Sequence, residues 1–455
     1  MLCATDVGCP LLDSIRGMAP LMSFDLVDEL AAGFRRVGDL QVAEAETGLD
    51  PLSLVRSGAH LFGSAHYFAT PAGDGIGGLG TARRWSRSGR GRFELLQTDL
   101  DEAGVPGPLL FGFSFAPDGP VDPEWAGFGA ADMVLPQVTV IARGGVRTLR
   151  LAVPVGADPL ALLNLVRSLR VPAEPDNADL GDHVIESHPH VSDWQDAVAE
   201  AVAVINDGAL RKVVLSRSVT VRSSRAADGL DLVHQLSAAY PRCYPFAWIG
   251  GDGALVGASP ELLLSISADR IVSNPLAGSA PRGEGENEDR AIGERLMASD
   301  KDRREHAFVV EDIAARLGPH VSELSVPQAP SLRRVTTVQH LSTEIVGTLR
   351  APVGPMDLVD AIHPTPAVGG TPTAGAEAFI AKVEEIDRGW YTGGVGWVDT
   401  GGDGEVAIAL RCGLIRGATA HLFAGAGIVA DSEPDKELAE TRLKFRPLLE
   451  LLAAT

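Results

Sequence analysis

Residues 422–444 read LFAGAGIVADSEPDKELAETRLK. The apolar start predicts a strand that breaks at Gly425-Ala426-Gly427, where a missing Cβ lets the backbone approach a ligand closely. Adjacent N–H groups in such a turn form a nest for an anion. An acidic helix follows. Its Glu437 and Glu440 are three residues apart and share a face, and Lys444 lies one turn further along it. Just upstream, EVAIALRCGLI (405–415) predicts a strand that carries Arg411. Anion donors beside two carboxylates are the parts of a metal-assisted site for a small polycarboxylate. The same pattern also fits a plain strand–turn–helix with a solvated charged face, so the rest of the chain has to decide.

A second helical stretch, SDKDRREHAFVVEDIAARLG (299–318), repeats the acid spacing with Asp302 and Glu305. Two such helices could clamp a hard divalent cation between them. Mg²⁺ takes oxygen ligands, keeps some waters and often shares itself with a substrate oxyanion. Acid pairs at this spacing are common on helix surfaces, and each alone is weak evidence.

The 455 residues carry 60 Asp and Glu against 39 Lys and Arg, a net charge of −21. That balance argues against nucleic acid and anionic membrane as partners. It also means that an anionic substrate must be held by local cations or a metal. Only five of the basic residues are lysine: Lys212, Lys301, Lys382, Lys436 and Lys444. Each is worth weighing, because lysine can lose its proton in a protein and arginine effectively cannot. A hydrophobic content of 45% fits a soluble protein with a sizeable core. No run of about 18 apolar residues predicts a membrane span, and the N-terminus lacks the basic-then-apolar order of a secretion signal. Four scattered cysteines (Cys3, Cys9, Cys243, Cys412) without zinc spacing fit a reducing cytoplasm.

Along the chain, residues 1–15 read as a loose tail and 16–455 as one unit without internal repeats. From Ser23 to about Gly48 the pattern is helical (DLVDELAAGFRRV). From 54 to 173, short apolar runs alternate with Gly and Pro. They predict antiparallel strands, GRFELLQTDL (91–100) among them, and a hairpin turn at Gly144-Gly145. Trp85, Trp125 and the isolated histidines there read as packing or surface residues. PAEPDNADLGDHVIESHPH (172–190) is the best linker candidate, with His188 and His190 in a loop. Ser192 is placed to cap a helix that ends at Asp207-Gly208, and the strand after it begins near Lys212. Residues 245–283 read as three strands, and 286–318 as a long helix kinked near Ser299-Asp300. Strands over 332–349 follow, then helices near 356–362 and 376–387. Helices and strands mix without a βαβ rhythm. The fold class is therefore α+β, with antiparallel sheet layers flanked by helices, rather than doubly wound.

Ten short motifs stand in order: KVVLSR (212–217), GASPELLL (257–264), NPLAGSAPRG (274–283), SDKDRREH (299–306), HLSTEIVG (340–347), HPTPAVGGTP (363–372), GGVGW (393–397), IALRC (408–412), FAGAGIV (423–429) and ELAETRLK (437–444). Together they resemble the chorismate-utilising enzymes, which include isochorismate, salicylate, anthranilate and aminodeoxychorismate synthases. The motif-bearing part is 190–455; the N-terminal half carries none. PLAGSA followed by LMASDKDRREH looks most like the isochorismate synthases of siderophore pathways.

The resemblance implies one large unit of antiparallel sheet layers with the site between them. It implies that Lys212 is a general base that activates water to attack C2 of chorismate. Relatives that use ammonia carry glutamine there, so Lys212 implies water. Glu261 matches a general acid that protonates the departing C4 hydroxyl, and the apolar ELLLSI around it suits a raised pKa. Glu305 and Glu440 match direct Mg²⁺ ligands, with Asp302 and Glu437 supporting through water; the metal would hold the ring carboxylate. Arg411, Lys444 and the backbone N–H groups of Gly425, Ala426 and Gly427 match anchors for the enolpyruvyl carboxylate. Gly278 and Ser279 belong to a loop that closes on the metal-bound carboxylate. His340 matches a pocket histidine, and Tyr391 and Phe423 match apolar walls, although packing explains these three equally well. Ala367 and Val368 line the region where family members differ.

The implied activity is an isomerase making isochorismate from chorismate for siderophore or menaquinone synthesis. It needs Mg²⁺ and no glutamine amidotransferase subunit. Salicylate synthases, the nearest alternative, usually read PIAGT where this chain has PLAGS. Aminodeoxychorismate synthases carry a lysine where Ala277 stands. A chorismate binder without turnover is a third alternative, opposed by the intact Lys212, Glu261 and four acids. A P-loop, a dinucleotide fingerprint, HExxH and a GxSxG elbow are all missing from the sequence.

Overall fold

Two large antiparallel sheets share one aromatic core. The computed structural model describes residues 19–105, 107–175 and 180–453; the expected tail, Cys3 and Cys9 lie outside the described residues. The larger sheet runs Arg35–Val37, Leu40–Glu46, Val146–Pro154, Val138–Arg143, Gly75–Leu79, Ser64–Ala69, Tyr244–Gly250, Gly253–Ser259, Cys412–Arg416, Thr419–Ile428, Lys212–Ser223 and His183–His188, with the short Gly370–Thr371 also paired to Lys212–Ser223. The second runs Val321–Ser325, Ile345–Leu349, Arg270–Asn274, Leu262–Ser267, Gly404–Ile408, Gly394–Val398, Leu109–Phe113, Ala131–Leu135 and Arg83–Arg87. A small sheet joins Leu276–Pro281, Val338–Ser342 and Ser331–Arg334. All these ladders are antiparallel, as the missing βαβ rhythm predicts. Both large sheets take strands from either side of residue 190. The half without motifs thus continues the ladders on which the motif-bearing half is built.

Between the sheets lie Phe68, Trp125, Phe246, Trp248, Trp390 and Phe423, all buried. Each such side chain contributes about 1.5–3 kcal/mol by leaving water. Trp125, read as packing from the sequence, is among them, and Trp85 packs at the edge of another cluster. Helices cover the outer faces: Pro51–Phe62, Pro159–Ser168 and Gly229–Ala239 on the larger sheet, and Arg92–Glu102, Asp300–Leu317 and Pro355–Ile362 on the smaller.

Several local expectations change. GRFELLQTDL is not a strand but the helix Arg92–Glu102, because Phe93, Leu96 and Leu100 fall three and four apart and form one buried stripe. The first helix ends at Ala32 against Gly33, and RRV turns into an edge strand paired with Leu40–Glu46. The linker candidate contains the strand His183–His188, which completes the open edge of Lys212–Ser223; residues 176–179 lie outside the description. His190, not Ser192, caps the helix Val191–Asn206. Residues 244–281 hold five strands rather than three, interrupted at Gly251 (φ 59°), at Pro260, at Ala268 (φ 54°) and at Pro275. The expected kink near Ser299 is a full break: Ser299 ends Glu286–Ala298 and caps Asp300–Leu317, its Oγ accepting from Asp302 N at 3.3 Å. Gly144 and Gly145 close the predicted hairpin with φ of 59° and 82°.

EVAIALRCGLI is not one strand. Gly404–Ile408 lies in the smaller sheet and Cys412–Arg416 in the larger, and Arg411 takes φ 50° at the step between them. The neighbouring chain makes the same step in the other direction. Gly253–Ser259 lies in the larger sheet, Leu262–Ser267 in the smaller, and Pro260-Glu261 joins them. The two steps are tied by Ile408 N donating to Glu261 O (3.1 Å) and Ala258 N to Arg411 O (3.3 Å). A left-handed arginine is uncommon and is held here by pairing on both sides.

Candidate active site

A cavity with about 650 Å³ of empty space, part of it open to solvent, lies at this seam. Glu261 and Arg411 reach it from the two steps. Lys212 comes from the first position of its strand, and Glu305 from the second turn of Asp300–Leu317. Lys212 is 1% exposed, and its Nζ stands 3.1 Å from Glu305 Oε1. Lys444 Nζ donates to Gly425 O (2.9 Å) and pairs with Glu440 (2.6 Å).

Glu261 is buried, and burial pushes its carboxyl up from the ordinary 4.5 to about 7. A bond from Leu276 N and the charges of Lys212 and Lys444 act the other way. The group is thus poised as an acid near neutral pH. His340 is held far below its usual range, first by burial and then by Arg411 and Lys444. Its Nε2 lies 3.4 Å from Arg411 Nη2, and its Nδ1 lies 3.0 Å from Ser279 Oγ and 3.3 Å from Gly278 O. Arginine can only donate, so Nε2 is the acceptor and Nδ1 carries the proton. Burial also lowers the Arg411 guanidinium from its usual value.

Tyr391 and Phe423 stack at 5.4 Å between ring centres and form one wall. Ala367 and Val368 form another part of the lining. Gly278 takes φ 67° at an irregular register between Leu276–Pro281 and Val338–Ser342, and a Cβ there would lie 3.0 Å from Asp302 Cβ.

The glycine pair works differently from the expectation. Thr419–Ile428 does not break at Gly425–Gly427 but runs through it, paired with Lys212–Ser223. The turn that would make a nest is therefore not there. Alternation along the strand puts Ala426 on the far face, fully buried against Trp194 and Val198, and outside the cavity lining. Gly425 and Gly427 stay on the lining because of space. A Cβ on Gly427 would lie 2.2 Å from Glu305 Oε1 and 2.9 Å from Lys212 Cε. Asp302 and Glu437 also stand behind the lining. Glu437 is buried and bonds Lys301 Nζ at 2.6 Å, and burial, with Glu440 next, raises its pKa.

A family model described as "Chorismate binding enzyme" matches residues 36–453. The chain belongs to the chorismate-binding enzymes. It is 37% identical over 372 residues to a salicylate biosynthesis isochorismate synthase of Pseudomonas aeruginosa, covering 80% of this chain and 78% of that one. It is 34% identical over 429 residues to the isochorismate synthase MenF of Bacillus subtilis, covering 89% and 91%. Among solved structures, the menaquinone-specific isochorismate synthase MenF of Escherichia coli matches with a TM-score of 0.80 at 25% identity, over 97% of this chain and 99% of that one.

In this chorismate-binding enzyme the sequence reading missed Val214, Pro260, Leu276, Thr392, Leu410 and Ala424, which also line the cavity. Five are apolar and carry no chemical signal. Thr392 has one conformational mark, φ 64°, that no sequence pattern predicts. Lys301 was flagged only as one of five lysines; with Lys212 and Lys444 it completes three lysine–acid pairs around the site.

Among the described residues, no three His, Cys, Asp or Glu side chains group closely enough to form a ready-made metal cage. Besides Glu261, the cavity presents two carboxylates, Glu305 and Glu440. That set suits Mg²⁺, which is commonly bound through one or two carboxylates with waters and substrate oxygens completing its shell.

Proposed function

We propose that this chain is a Mg²⁺-dependent isochorismate synthase, an isomerase that moves the hydroxyl of chorismate from C4 to C2. The observation that carries this reading is the presence of Lys212 and a buried Glu261 poised near pH 7 on one cavity. Lys212 takes a proton from water as the water oxygen adds to C2. Both ring double bonds shift, C1=C2 to C1=C6 and C5=C6 to C4=C5, and the C4 hydroxyl leaves as water with a proton from Glu261. One water enters and one departs.

Arg411 and Lys444 anchor the enolpyruvyl carboxylate by charge-assisted bonds. The Tyr391–Phe423 wall covers the ring face, and neutral His340 holds the Arg411 guanidinium in place. Glu305 and Glu440 would hold Mg²⁺, with Asp302 and Glu437 behind them. When bound, Mg²⁺ supplies positive charge for the ring carboxylate and offsets the chain's negative field. The PLAGS sequence, which lies at the start of the strand Leu276–Pro281 rather than in a loop, and the names of the relatives favour release of isochorismate over further conversion to salicylate. The product would serve siderophore or menaquinone synthesis in the cytoplasm, where buried free thiols such as Cys243 and Cys412 persist.

Turnover in ¹⁸O-labelled water tests the chemistry. Water attack places one ¹⁸O at C2 of the product; unlabelled isochorismate would rule it out.

A further inference from the structure

Arg388 does not line the cavity, yet its guanidinium bonds three residues that do. Its Nε donates to Glu384 Oε2 (2.7 Å). Its Nη2 donates to Glu384 Oε1 (2.5 Å) and Val214 O (2.9 Å), and its Nη1 to Val368 O (2.8 Å) and Thr392 Oγ1 (3.3 Å). These bonds use the five N–H donors that a guanidinium has. Glu384 Oε1 also accepts from Ser216 N at 2.7 Å. The pair is 3% and 5% exposed, and Phe115 lies under the guanidinium at 4.3 Å.

Val214, Val368 and Thr392 belong to separate segments: the strand that begins with Lys212, the loop after His363–Pro366, and the turn before Gly394–Val398. We propose that Arg388 and Glu384 are a positioning pair that sets the spacing between the Lys212 strand and the Ala367-Val368 loop, and so aims Lys212 at the substrate. This rests on the reading of Lys212 as the base. Arg411 and Lys444, the anchors, are bonded elsewhere, to His340 and to Gly425 and Glu440. Loosening the pair should therefore disturb the chemical step more than substrate capture. Lysine cannot replace Arg388, because a point ammonium cannot reach acceptors on three segments in a plane.

The test uses Arg388→Lys and Glu384→Gln in the full chain. The expected result is kcat lower by about 10- to 100-fold with KM for chorismate changed by less than about threefold. Amide exchange, measured without substrate, should quicken at residues 212–216 and 367–369. If Arg388→Lys does not fold, Glu384→Gln carries the test, since its amide oxygen still accepts from Ser216 N. Variants with a lower melting temperature but unchanged kcat per folded molecule would overturn the proposal and leave the pair a structural brace. Wild-type protein that leaves chorismate unchanged would overturn the functional reading instead; the exchange data do not depend on it.

Discussion

Lys212 Nζ and Glu305 Oε1 meet at 3.1 Å over Gly427, the position at which any Cβ would strike both side chains. The start of a strand and the second turn of a helix are thereby joined through a glycine in a third element. The lysine is buried, so the contact lies out of water.

Lys212→Gln keeps a polar side chain, one atom shorter, but cannot accept a proton from water. Turnover should fall by at least about 100-fold, the usual worth of a general base. Equilibrium binding of chorismate should survive, because Arg411, Lys444 and the Tyr391–Phe423 wall remain. Near-normal turnover would remove Lys212 from the mechanism.

Gly427→Ala puts a methyl where Glu305 and Lys212 now cross. The strand is extended at that point, so backbone conformation is not strained, and the circular dichroism spectrum should be unchanged. Activity should drop by about 10- to 100-fold through displacement of Lys212. A fully active variant would show that the crossing has room to spare.

Glu261 gives a pH signature. Its folded pKa is about 7 against an ordinary 4.5, so between those values the folded chain holds a proton that the unfolded chain has lost. The stability it contributes is fully present below about pH 4.5 and is lost as pH rises through 7, an effect on the order of 3 kcal/mol. Denaturant titrations should show wild type losing stability relative to Glu261→Gln across that window. The kcat of wild type should also decline above about pH 7 as the acid ionises. Parallel stability curves for the two proteins would contradict the assignment.

Mg²⁺ should stabilise the folded chain by mass action, about 2.7 kcal/mol at one hundred times its dissociation constant. A rise in melting temperature with Mg²⁺, reversed by EDTA and lost in Glu305→Gln and Glu440→Gln, is the expected pattern. A melting temperature indifferent to Mg²⁺ would withdraw those two carboxylates as ligands.

Much of the site was legible because its chemistry sits in charged or glycine positions inside quotable motifs: Lys212, Glu261, Glu305, Arg411 and Lys444 all line the cavity. The geometry that gathers them was not. EVAIALRCGLI is apolar apart from Glu405 and Arg411, and nothing in its pattern marks the place where Arg411 leaves one sheet for the other. Gly425-Ala426-Gly427 read as a turn because glycine usually marks conformation; here it marks space beside two side chains. GRFELLQTDL was too short for its period to separate strand from helix. Arg388 and Glu384 lie between motifs, and only the fold shows that their bonds converge on three lining segments.

The most direct measurement is to incubate the purified protein with chorismate and Mg²⁺, with and without EDTA, and to separate the products by chromatography. The expected result is isochorismate alone, abolished by EDTA. Salicylate with pyruvate at neutral pH, or chorismate returned unchanged, would contradict it.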